Sequence, residues 1–71
     1  MYHATTHTHE STKTGQLFYG WTIHQDNEHL ASIHFDFTTA DQRDASMMRH
    51  LHMWAKAGAV VTVDKMLVQL G

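Results

Sequence analysis

The chain has 71 residues, enough for one small domain and no second. Five Lys and Arg stand against seven Asp and Glu, a formal charge of -2, so there is no excess positive potential to neutralise a DNA or RNA backbone. The absence of cysteine excludes disulfides, thiolate metal sites and a Cys nucleophile. No run approaches the roughly 18 apolar residues of a spanning helix, nor does the start read as a signal peptide. The expectation is a soluble, cytoplasmic chain without membrane contact.

Residues 1–15, MYHATTHTHESTKTG, carry only Met1, Tyr2 and Ala4 as apolar groups. A segment this polar buries too little surface to offset its ordering entropy, which predicts a flexible His/Thr-rich tail ending at Gly15. Residues 16–71 then form the single folded domain. From Gln16 to His24 the pattern alternates, with Leu17, Tyr19, Trp21 and Ile23 on one side, as expected of a strand. Turn residues follow, and Ala31, Ile33, Phe35 and Phe37 resume the alternation as a second strand. A three-residue loop of Gln25, Asp26 and Asn27, with Asn27 left-handed, would face Trp21 to Ala31, Tyr19 to Ile33 and Leu17 to Phe35, keeping both apolar sets on one face.

Thr39 with Gln42 three positions on is a capping box, so a helix is expected from about Ala40 to a stop near Gly58. Its periodicity sets Met47, Met48, Leu51, Trp54 and Ala55 toward the sheet and Ser46 and Met53 away from it. The β-branched run from Ala59 to Val63 predicts a third strand, and the spacing of Val63, Met66, Leu67 and Leu70 a short C-terminal helix. The fold class is therefore α+β: a small β-β-α-β domain, an antiparallel hairpin plus a third strand covered on one face by one long helix. The competing architecture is ribbon-helix-helix, with Ala31 to Phe37 as the ribbon, but that strand offers His34 and Asp36 where DNA binding needs basic residues.

Histidine is the compositional outlier, with eight residues: His3, His7, His9, His24, His29, His34, His50 and His52. Protonating all of them would move the formal charge from -2 to +6, so the electrostatics depend on mild acidity. Met1, Tyr2 and His3 place an imidazole third from an amine, an arrangement of in-plane nitrogens that suits Cu(II) or Ni(II). His7 and His9 could join it on a flexible tail. His50 and His52, two apart on the helix, point to opposite flanks and cannot share an ion.

Catalysis finds less support. Ser11, Ser32 and Ser46 lie in no nucleophile turn, and Asp41 and Asp44 are accounted for by the positive end of the helix. The apolar residues left over from the core are Phe18 and Leu30 on the outer strand face beside His34, with Met53 on the helix. They predict a non-enzymatic protein-interaction module that occupies a partner surface, in the manner of the small inhibitor or accessory proteins of phages and mobile elements. A core this small also predicts a homodimer. The alternative function is a Cu(II)- or Ni(II)-binding protein that uses Met1, Tyr2, His3, His7 and His9.

Overall fold

A computed structural model describes Met1–Gly71 throughout. Six elements follow in order: β1 (Tyr2–Glu10), β2 (Leu17–Gln25), β3 (Glu28–Phe37), α1 (Ala40–Trp54), β4 (Val60–Val63) and β5 (Met66–Gln69). The strands form one sheet in the order β3-β2-β1-β4-β5, antiparallel except where β1 and β4 run parallel. The α+β class, the first hairpin, the helix and a strand at Val60–Val63 agree with the sequence pattern. The strand count and topology do not.

The largest correction falls on residues 1–15. Most of the expected tail is β1, the middle strand, paired to β2 over nine positions from Tyr2↔Gln25 to Glu10↔Leu17. The β2 ladder satisfies one edge of β1 along its whole length and β4 adds pairing at His3 and Ala4, so the backbone is bonded without a large hydrophobic contribution of its own. Only Ala4 is fully buried here, and its small side chain lies in the core with Ile23 beside it. Thr5, Thr6 and Thr8 supply β-branched residues that suit an extended chain.

The expected C-terminal helix is absent. Val63 and Met66 pair around Asp64 and Lys65, whose φ values of 49° and 70° have the sign pattern of a type I′ turn, so the chain folds back as β5. Lys65 adopts left-handed backbone that glycine takes at no steric cost. Lys65→Gly is therefore expected to stabilise the domain by about 1 kcal/mol and raise the melting temperature by roughly 4–8 °C. An unchanged or lower melting temperature would show that this turn stores no such strain.

The first hairpin also differs in register. Its turn has two residues, Asp26 and Asn27, with Asp26 rather than Asn27 at positive φ (52°), and Gln25 faces Glu28. Such a turn alone would send the two apolar sets to opposite faces. A bulge at Leu30 restores the parity, so Trp21 faces Ile33 and Ile23 faces Ala31. A second irregularity sets His34, Phe35 and Asp36 against Gly20 alone before Tyr19 meets Phe37. Phe35 in this excursion and Leu17 at the start of β2 are each 42% exposed, outside the core expected to hold them.

The core is Ala4, Trp21, Ile23, Met47, Leu51, Ala55, Val61 and Leu70. The helix begins as its capping signal requires, with the Gln42 amide donating to Thr39 Oγ1 at 3.2 Å. It ends at Trp54 with Ala55 as cap, and Gly58 lies in the turn before β4. Its buried stripe is rotated from the periodicity reading: Ser46, expected outside, is buried because Trp21 Nε1 donates to its hydroxyl at 3.1 Å. Arg43 is buried beside it, its guanidinium 5.4 Å from the Tyr19 ring centroid. No helix is long and apolar enough to cross a membrane.

Candidate functional site

The helix covers the sheet face bearing Ala4, Trp21, Ile23 and Val61. Strand alternation sends the intervening residues to the opposite face, which carries no helix. These are His3, Thr5, His7 and His9 from β1, Thr22 and His24 from β2, and Thr62 from β4. The β3 residues His29 and Ser32 join them as the register partners of His24 and Thr22. Five of the eight histidines thus occupy one surface. Their segments are unrelated in pattern, and strand pairing alone brings them together.

Two of the imidazoles are anchored by hydroxyls. His3 Nδ1 and Thr62 Oγ1 are hydrogen-bonded at 2.6 Å, and His7 Nε2 and Thr22 Oγ1 at 2.7 Å. At the hairpin end, His3 is the partner of His24 and His24 of His29, forming a row across three adjacent strands. The His24 and His29 rings meet edge to face with centroids 5.7 Å apart. At the far end, β3 swings toward the sheet at Gly20, and the Phe35 ring lies 5.2 Å from that of His9.

The remaining polar contacts brace the frame. Asp64, at the β4–β5 turn, accepts from the Thr6 amide at 2.8 Å and from the Thr6 hydroxyl at 2.6 Å. Burial pushes its pKa up, but the two Thr6 bonds, with Arg43 and His7 nearby, outweigh that and hold the carboxyl below its ordinary value of 3.8. A depressed folded pKa contributes stability that is complete above the unfolded value and is lost as pH falls through the folded one. Asp64→Asn should therefore melt below the wild type by a constant margin from pH 7 down to about 5, and the margin should shrink below about pH 4. A margin that widens in acid would contradict this sign.

The residues expected to bind a partner do not share a surface. Phe18 is half-buried opposite His9 on β1, not beside His34. Leu30 is the bulge residue and packs against the core. His34 is exposed within the Gly20 excursion, and Met53, 68% exposed, stands on the helix across the sheet. The expected metal ligands are separated likewise. Four residues of strand put His3 and His7 roughly 13 Å apart along β1, too far to share one ion. Tyr2 packs against the core, and the backbone of Tyr2 and His3 is paired with Gln25 and His24, so a chelate through their amides would have to leave the sheet.

His50 Nδ1 donates to the Ser46 carbonyl at 2.7 Å, and its ring lies 4.7 Å from that of Trp21, while His52 is exposed. The sequence reading missed the partnership of His24 with His29. The signal was the symmetry of HQDNEH about Asp26 and Asn27: a two-residue turn there pairs its two ends. No family model matches the chain, and no curated protein or solved structure is similar to it.

Proposed function

We propose that the protein is a non-enzymatic interaction module that docks a protein partner on the β4–β5 side of its sheet. The observation behind this reading is the exposure of Val60 (47%), Met66 (72%) and Leu67 (71%) on one short hairpin. β5 is an outer strand, so a row of its backbone amides and carbonyls faces outward beside these side chains. Its residues, MLVQ, carry no charge. The other outer strand, β3, is broken by two irregularities and carries Glu28 and Asp36. Bulges and charges discourage edge pairing, so β5 is the more receptive edge. This reading shifts the interface from Phe18, Leu30, His34 and Met53 to the hairpin, and keeps the small cytoplasmic inhibitor or accessory role expected from the sequence.

The test is affinity capture with the wild type and with Leu67→Asp, a change at an exposed position that leaves the core untouched. The expected result is a protein held by the wild type and lost from a folded Leu67→Asp variant. Sedimentation equilibrium of the same pair at micromolar concentration identifies a second copy as the partner if the wild type alone is dimeric. Identical captured proteins and identical monomeric sedimentation for both variants would overturn the proposal.

A further inference from the structure

We propose that His24 and His29, joined by His3, form a surface site for a borderline divalent transition ion such as Zn²⁺. The row lies on the sheet face without a helix; its His3 end borders the β4–β5 hairpin at Thr62, but its ligands come from β1, β2 and β3, so it does not depend on the docking assignment. Its three imidazoles are successive register partners on β3, β2 and β1. Directly paired residues on adjacent strands hold their Cβ atoms about 4.5–5.5 Å apart, a separation that two imidazoles can bridge through one ion. The His24 and His29 rings already stand 5.7 Å apart.

In the present side-chain arrangement no three such groups converge on one point. One reason is that His3 is hydrogen-bonded to the Thr62 hydroxyl on β4, the neighbour of β1 on the side away from His24. His24 and His29 therefore supply the first two ligands. His3 supplies the third by exchanging Thr62 for the ion, and water completes the coordination. A hydroxyl bond at a half-buried position is a modest cost against a metal-nitrogen bond. Imidazole ligands suit Zn²⁺, Ni²⁺ and Cu²⁺. The bound ion would clip the hairpin to β1, linking three strands at one end of the sheet.

The experiment is titration of the full chain with Zn²⁺, followed through the imidazole ring resonances and through the melting temperature. One equivalent is expected to shift the His24, His29 and His3 rings while leaving His9 and His52 in place, and to raise the melting temperature. Loss of a neighbour that merely orients a ligand costs about 10–100-fold in affinity, so His24→Gln and His29→Gln should each weaken binding at least about tenfold. His29 is exposed, so its replacement keeps the fold even if that of His24 does not. The double variant His7→Gln/His9→Gln should bind like the wild type. Binding should also fade as acid protonates the ligands. No Zn²⁺ binding below millimolar concentration, undiminished binding by His29→Gln, or shifts confined to His7 and His9 would each overturn the assignment.

Discussion

Gly20→Ala is expected to cost about 3 kcal/mol or more, the most damaging change in the chain for one added methyl group. Between Trp21 and Tyr19, β3 spends three residues against one of β2 and passes so close to Gly20 that a Cβ there would overlap the backbone carbonyl of His34. The obstacle is main chain, with the Ile33 carbonyl beside it, so no rotamer change relieves the clash. β3 would have to lift from β2, surrendering ladder bonds and displacing Phe37. A core this small supplies about 3–5 kcal/mol in all, so the variant should be largely unfolded at room temperature by circular dichroism. A urea midpoint equal to that of the wild type would show that β3 does not make this approach.

Trp21→Ala should cost about 3–5 kcal/mol, the range for emptying a buried aromatic site. Trp21 is fully buried in the core, with the His50 ring against it and its indole nitrogen bonded to Ser46. Ser46→Ala keeps the packing and leaves the indole N–H without that partner, for about 1–3 kcal/mol. In a Trp21→Phe background no indole donor remains, and the cost of Ser46→Ala should fall toward zero. Equal costs in both backgrounds would mean that the bond does not set the rotation of the helix.

The two irregularities of β3 explain why the alternation of its sequence gave the right face for Ala31 and Ile33, the wrong pairs, and the wrong place for Phe35, which lies against His9. Apolar periodicity reports which residues share a face, and Trp21, Ile23, Ala31 and Ile33 do share one. It does not report an unpaired residue such as Leu30, whose insertion lets a two-residue turn produce the same parity as a longer loop. Thr39 and Gln42 marked the helix start because capping chemistry is local. The buried stripe depended on a bond to Trp21, 25 positions away in the chain, and no helical period contains that information.

The histidine surface was legible as composition and illegible as geometry. His3, His7 and His9 are close in sequence, which suggested one chelate on a flexible tail; as alternate residues of a strand they line up along β1 and grow farther apart. His24, far from them in sequence, is the direct partner of His3 on β2, and His29 follows it one strand further across the sheet. The error has one physical origin. Hydrophobicity judges whether a segment can bury surface, whereas β1 is held chiefly by its ladder with β2, to which β4 adds His3 and Ala4, a contribution that the residues of Tyr2–Glu10 do not display.

Everything about the imidazole row therefore depends on residues 2–10 being the central strand, and amide hydrogen exchange at single-residue resolution tests that most directly. Alternate amides of Tyr2–Glu10 should be protected to an extent comparable with those of Leu17–Gln25, with the pattern of a strand bonded on both sides near His3 and Ala4. Exchange across residues 2–10 at the rate of an unstructured peptide, with β2 and β3 still protected, would contradict the fold and dissolve the row of His3, His24 and His29 with it.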